Sequence, residues 1–335
     1  MGSRQGLLEA FLVLLFFVLV PGLLLLLCNP LFAHSQSNLS ENLVSVKYFV
    51  GGRECDARCV RAELGGGDGL VPAMDLTVII PAFNEESRLP PMLNSAIPFL
   101  NEWSIREKKT YEILVADDYS LDGTRSYVLG KATTDPTVRL LSLGRNCGKG
   151  GAVRRGVQYA RGQYILMADA DGATEMSDLP KVWEGLQKVQ TVDGAGNLGM
   201  SVGSRAHMEK QSIATRSWVR TVLMHGFHFL VTILCTKNVR DTQCGFKLFT
   251  RKTARILFSN LHLEGWTFDI ELIFIAEKLG IPISEIAVTW HEVSGSKLIQ
   301  SKMDIVFTSL KMARDMLCLR IAYLAGIWKI QPNLV

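Results

Sequence analysis

The chain has no cysteine framework and no complete copy of the common phosphate-binding signatures. Its seven cysteines are odd in number and scattered (Cys28, Cys55, Cys59, Cys147, Cys235, Cys244 and Cys318), which excludes a disulfide-stapled scaffold. Cys55 and Cys59 could ligate a metal, but no second Cys or His pair sits at zinc-finger spacing, which favours incidental cysteines over a structural zinc module. This usage fits a catalytic domain in a reducing compartment. Gly148-Lys149-Gly150-Gly151-Ala152-Val153 puts valine where the dinucleotide fingerprint needs its third glycine. Gly144 to Gly150 is one residue short of a P-loop and ends in glycine where Ser or Thr must reach magnesium. A nicotinamide enzyme and a P-loop ATPase are thereby set aside. What remains is a set of glycines with Arg145 and Lys149 before a predicted helix, readable as an anion site or as a plain tight turn. A large charge of one sign is also missing, since 36 Lys and Arg face 32 Asp and Glu for a net charge of +4, and no nucleic-acid partner is expected.

One long apolar run is present. Ala10 to Cys28 is interrupted only by Pro21 and Gly22, and about 20 such residues cross the hydrocarbon core of a bilayer. It reads as a membrane anchor within residues 1–33; a cleaved signal peptide is the competing reading, with Arg4 before the run and Ala33 near a small-residue cleavage site. Flanking charge does not fix the orientation. Residues 34–74 include Gly65-Gly66-Gly67-Asp68-Gly69 and read as a linker. From residue 75 to 298 short β-rich runs alternate with helical patterns. Strands are predicted at Leu76 to Ile80, Tyr111 to Ala116, Val138 to Leu143 and Tyr164 to Ala168, and helices near Pro91 to Trp103, Thr124 to Lys131 and Gly151 to Arg161. Such alternation implies right-handed crossovers and a mainly parallel, Rossmann-like α/β sheet covered on both faces. Residues 299–335 follow as a C-terminal helical segment. There Leu310, Leu317 and Leu324 alternate with Lys311, Arg314 and Arg320, which suits a basic helix on a membrane surface or one packed on the core. Trp218 to Cys235 is apolar but carries Arg220, His225 and His228, a pattern for a helix at headgroup level.

Three acidic or polar clusters fall just after predicted strands: Asn84-Glu85-Glu86, Asp117-Asp118 and Asp169-Ala170-Asp171. An isolated Asp-x-Asp is commonly only a turn. Placed together at the carboxyl edge of a parallel sheet, the three clusters instead suit a nucleotide-diphosphate site, where carboxylates hold ribose, base and a divalent metal.

Pro81-Ala82-Phe83-Asn84-Glu85, Val115 to Thr124 and Asp169-Ala170-Asp171-Gly172 resemble the ordered signature of family 2 glycosyltransferases with a GT-A fold. The resemblance covers about residues 75 to 300. It departs at Tyr119, where the family commonly has glycine. Leu143 to Val153, Asp241 to Phe249 and Gly265 to Glu271 are most similar to members that glucosylate dolichyl phosphate. The resemblance therefore implies transfer of glucose from UDP-glucose to dolichyl phosphate with inversion, for protein N-glycosylation. Alternatives are the same acceptor with GDP-mannose, or an inactive nucleotide-sugar or lipid-binding protein. The several spans and Gln-x-x-Arg-Trp motif of processive glycan synthases are missing.

The same resemblance assigns roles. Pro81, Ala82, Asn84, Glu85, Lys149 and Ala170 belong to the donor site, with Asp117 or Asp118 at uracil and ribose. Asp169 lies over the nucleotide-sugar and Asp171 ligates Mg²⁺ or Mn²⁺. Arg205, Arg220 and Lys297 are acceptor-phosphate candidates, for which guanidinium offers a bidentate fork. Gln243, Trp266, Asp269 and Glu271 are possible sugar contacts; Trp266 could equally be core, and Asp269 and Glu271 equally structural. The bilayer is a further expected partner, at the endoplasmic reticulum, with one N-terminal anchor and the catalytic domain facing the cytosol.

Overall fold

A computed structural model describes residues 45–55, 73–193, 196–208, 226, 230–236, 238–293 and 302–332. The expected anchor, Arg220, Lys297 and most of Trp218 to Cys235 lie outside these residues. Among the described residues no helix is long and apolar enough to cross a membrane.

The elements in chain order are β1 (Val46–Val50), β2 (Arg53–Cys55), β3 (Met74–Ala82), α1 (Leu89–Glu107), β4 (Tyr111–Asp117), α2 (Thr124–Thr134), β5 (Val138–Leu143), α3 (Gly148–Tyr159), β6 (Gly162–Met167), α4 (Leu179–Val189), a short hairpin of β7 (Thr191–Asp193) and β8 (Gly196–Leu198), β9 (Met200–Ser204), β10 (Lys247–Thr250), α5 (Arg251–Ser259), α6 (Phe268–Lys278), β11 (Ile283–Ala287) and α7 (Lys302–Leu324). Nine strands form one sheet in the order β11-β9-β10-β6-β3-β4-β5-β1-β2. Its centre, β6-β3-β4-β5, is parallel. β10 runs antiparallel between β6 and β9, and β1 antiparallel against β5. β1 and β2 take in residues 46–55, part of the stretch that composition assigns to a linker: Tyr48 and Phe49 are buried there, and the glycine-rich residues come only after it.

Each strand feeds two cores because its side chains alternate. Val78 and Ile80 pack with Leu93, Leu100, Val128 and Leu179 of α1, α2 and α4; Ile79 packs on the other face with Val153, Leu257 and Leu272 of α3, α5 and α6. β4 is buried along its whole length, so Ile113 to Ala116 read as an apolar run without alternation. α6 is buried from Phe268 through Ala276 because α7 covers its far side, where Phe274 meets Leu319 and Ile270 meets Met316. α7 thus turns Met312, Met316, Leu319 and Ala322 inward, while Phe307, Leu310, Leu317, Ile321 and Leu324 are exposed.

One buried carboxylate fastens the amino ends of the central strands. Glu112 accepts from Thr77 Oγ1 on β3 at 2.7 Å, from the Arg161 backbone at 2.9 Å and Nε at 2.8 Å before β6, and lies 3.1 Å from Arg139 Nε on β5. Removing one member leaves its partners charged and buried, which typically costs 3–5 kcal/mol. Glu112→Ala is therefore expected to lower the unfolding free energy by about 3 kcal/mol or more, read from the denaturation midpoint at unchanged m-value.

Candidate active site

Adjacency of β6, β3 and β4 brings their carboxyl ends side by side, so all three acidic clusters meet at one edge. They border a cleft of about 700 Å³. Pro81, Ala82, Glu85, Asp118, Lys149, Asp169, Ala170, Asp171, Arg205, Gln243, Trp266 and Asp269 all line it.

The loops after β3 and β4 hold each other. The Asn84 backbone N–H donates to Ser120 Oγ at 2.9 Å, and Asn84 Oδ1 accepts from the Leu121 N–H at 2.7 Å. The Glu85 N–H donates to Thr124 Oγ1 at 2.7 Å. Asn84 thus serves the loop scaffold and does not line the cleft. Tyr119 sits at φ +68°, the left-handed region that disfavours a side chain.

Asp117 and Asp118 point to opposite sides of β4, as alternation requires. Asp117 accepts from the Ser120 N–H at 3.2 Å and from Ser142 Oγ at 3.3 Å, and borders a separate cavity of about 160 Å³. Asp118 faces the cleft and accepts from the backbone N–H groups of Cys147 at 2.6 Å and Gly148 at 2.8 Å. The N–H groups of Gly150 and Gly151 donate to the Glu264 carbonyl at 2.9 and 3.3 Å. The helix start at α3, an anion site on one reading of the sequence, is therefore filled by the protein's own oxygens. Gly148 adopts φ +81°, and a Cβ there would meet the Glu264 carbonyl oxygen at 2.7 Å.

Asp169 and Asp171 follow β6. Asp169 Oδ1 lies 2.6 Å from Lys149 Nζ. Burial disfavours both charges, but each outweighs it for the other: the lysine is held above and the carboxyl below its ordinary range. Gly245 passes so close that a Cβ would fall 2.0 Å from Asp169 Oδ2. Asp171 Oδ1 accepts from the Ala173 N–H at 3.0 Å, and Oδ2 lies 3.7 Å from an Arg88 guanidinium nitrogen. Burial and then the Asp169 charge push the Asp171 carboxyl upward. The Arg88 fork grips Glu85 at 2.6 and 2.7 Å.

Arg205 is gripped by Asp241 through Nε and an outer nitrogen at 2.7 and 2.8 Å, and lies 5.6 Å from the Trp290 ring centre. Asp269 accepts from Lys247 Nζ at 2.5 Å, and both are buried. Trp266 is 41% exposed, which makes it a wall of the cleft, not core. Glu271 corrects the sugar-contact expectation. Fully buried, it accepts from the N–H groups of His262 and Leu263 at 3.0 and 2.6 Å and from Tyr323 at 3.1 Å, behind the cleft and under α7. The helical period explains it, because two residues turn a helix by more than half a revolution and Asp269 already faces the cleft.

Sequence reasoning missed Arg88, Asp241, Lys247 and Lys311. Arg88 was signalled by its i+3 spacing from Glu85; the others reach the site only through tertiary packing. Among the described residues no three His, Cys, Asp or Glu side chains group as a metal site. A divalent ion still fits Asp171, partly exposed at the cleft with Asp169 beside it, because magnesium is commonly held by one or two carboxylates and substrate phosphates.

Burial pushes the Asp118 carboxyl up to about 6, against the two N–H bonds it accepts. The native state then binds a proton that the unfolded chain, with its carboxyl near 3.9, has released. Its contribution to stability falls as pH rises from about 4 through 6 and is level above that. The melting temperature of the protein relative to Asp118→Asn should decline across that window and then stay constant.

Comparison with known proteins places this edge in a family. A model described as glycosyl transferase family 2 matches residues 77–258. The chain is 49% identical over 260 residues to a dolichyl-phosphate beta-glucosyltransferase of Dictyostelium discoideum, covering 76% of this chain and 77% of that one. It is 47% identical over 265 residues to the Homo sapiens protein of the same name (78% and 80% covered), and 41% over 263 residues to that of Saccharomyces cerevisiae (76% and 76%). Among solved structures, glucosyl-3-phosphoglycerate synthase from Mycobacterium tuberculosis in complex with uridine-diphosphate superposes at TM-score 0.50 and 17% identity, over 77% of this chain and 86% of that one, a likeness of fold. The motifs, the sheet and these relatives agree: the chain belongs to glycosyltransferase family 2.

Proposed function

We propose that the protein transfers glucose from UDP-glucose to dolichyl phosphate, giving dolichyl β-D-glucosyl phosphate and UDP. The observation that carries this is the 47–49% identity, over more than three quarters of the chain, to proteins named dolichyl-phosphate beta-glucosyltransferase. The cleft suits that chemistry, because it gathers carboxylates for a metal-bound diphosphate and cations for anionic reactants.

The acceptor is a phosphate monoester whose second pKa is about 6, so its oxygen is already a nucleophile at neutral pH. It attacks the anomeric carbon as the bond to UDP breaks on the opposite side, with inversion, and no general base is needed. In this reading Asp171, helped by Asp169, would hold Mg²⁺ or Mn²⁺, which when bound would supply Lewis-acid stabilisation of the charge on the departing diphosphate. Lys149 stays protonated beside Asp169 and adds a fixed positive charge to the same end of the site. Pro81, Ala82 and Asp118 form the nucleoside wall and Gln243, Trp266 and Asp269 the sugar wall; Arg205, held by Asp241, borders the acceptor side, for which Arg220 and Lys297 are candidates from the sequence alone. Arg88 orients Glu85 and Asp171 and is a positioning residue.

The reaction belongs at a lipid surface, since a polyprenyl tail stays in the membrane. Two features support that: the Ala10 to Cys28 run and the exposed apolar residues of α7. Residence in the endoplasmic reticulum membrane, anchored once near the N-terminus with the catalytic domain in the cytosol, agrees with Cys55, Cys147, Cys235 and Cys244 carrying thiols.

Purified protein with Mg²⁺, dolichyl phosphate and either UDP-glucose or GDP-mannose should yield the glucolipid alone, inhibited by UDP and not by GDP. Mannolipid formation would move the assignment to the other donor. Asp171→Asn should cut the rate by roughly 100-fold or more while circular dichroism and membrane association are unchanged. Full activity in that variant, or in excess chelator, would remove the metal from the mechanism.

A further inference from the structure

We propose that Lys311 receives the phosphate monoester of the acceptor, with the lipid chain leaving the cleft across Phe307 and Leu310 of the same helix. The proposal rests on the acceptor reading given above and deepens it.

Four described cations line the cleft: Arg88, Lys149, Arg205 and Lys311. Three are already matched to carboxylates. Arg88 is forked onto Glu85, Lys149 is 2.6 Å from Asp169, and Arg205 is forked onto Asp241. Lys311 has no ion pair or hydrogen bond among the described residues. The same cleft carries the carboxylates of Glu85, Asp118, Asp169, Asp171, Asp269 and Glu292. A second anion can enter such a cavity only where a cation is not already committed. Arg205 would have to give up its Asp241 fork to do this, whereas an exposed ammonium on a flexible stem turns to a phosphate without breaking any contact.

The helix also answers where the lipid goes. Phe307 lies one turn before Lys311, on the same face, and Leu310 adjoins it; they are 63% and 61% exposed. Leu317, Ile321 and Leu324 continue the exposed apolar row along α7. A phosphate at Lys311 therefore sits beside an exposed apolar row, the pairing that a polyprenyl phosphate requires. The inner face of α7, through Met316 and Leu319, is fixed to α6, whose first turn supplies Asp269 to the cleft. Headgroup and sugar are thus presented by two helices packed on each other.

The test uses full-length protein in detergent with Mg²⁺. Lys311→Ala should raise the KM for dolichyl phosphate about tenfold, the loss of one charge-assisted contact, with the KM for UDP-glucose and the melting temperature unchanged. Lys311→Arg should restore most of the loss. Calorimetric titration with farnesyl phosphate, in the absence of donor, should show the same weakening without any need for turnover. Phe307→Ser should narrow the difference in KM between dolichyl phosphate and a short-chain polyprenyl phosphate. An unchanged acceptor KM in Lys311→Ala, or an equal rise for UDP-glucose, overturns the assignment of Lys311 while leaving the transferase reading standing. Failure of the unsubstituted protein to use dolichyl phosphate would instead remove the reading on which it rests.

Discussion

Carboxylates crowded into one cavity repel one another, and the cleft is organised around offsetting that repulsion. Asp169 is answered by Lys149 from α3, Asp269 by Lys247 from β10, Asp241 by Arg205 after β9, and Glu85 by Arg88 at the mouth of α1. Three of these pairs join residues distant in the chain, so the electrostatics of the site and the packing of the sheet are one problem. A buried pair such as Lys247 with Asp269 adds little net stability when complete, but losing one partner strands the other charge. That asymmetry makes the pairs determinants of geometry more than sources of stability.

The same constraint decides which groups are left for substrates. Asp171 is only partly committed, to one backbone N–H and a distant guanidinium, and it remains open to the cleft. Lys311 is the corresponding uncommitted cation among the described residues that line the cleft. On the proposed reading, donor and acceptor ends of the reaction are distinguished by which charges the protein has not already neutralised. Asp118 belongs to neither end alone: by accepting from Cys147 and Gly148 it pins the start of α3, and through that helix the position of Lys149.

Local motifs in the sequence were a good guide to the centre of the fold. The four predicted strands at β3, β4, β5 and β6 and the three helices between them appear within a few residues of their expected places, because β-branched runs and helical periods are short-range signals. The sheet's edges were less legible. β1 and β2 are short and are followed by a glycine-rich stretch; β1 gains its place by pairing with β5, and β2 by pairing with β1. Likewise α7 reads as one amphipathic pattern, yet splits into an inner face against α6 and an outer exposed row, a division that depends on where α6 lies.

Taken by itself, the sequence determined the α/β class, the three acidic clusters at strand ends and the ordered motifs that assign the family, since each is written in neighbouring residues. Tertiary structure alone decided which members of those clusters face the cleft. Alternation along β4 sends Asp118 inward and Asp117 behind it, and the turn of α6 keeps Asp269 at the cleft while burying Glu271 under α7. It also decided that the glycine loop is held by Asp118 and the Glu264 carbonyl, and that Lys311 arrives from the far end of the chain. The reason is one of range: type and spacing are local properties, whereas commitment of a charge is set by whichever partner packing brings within about 3 Å.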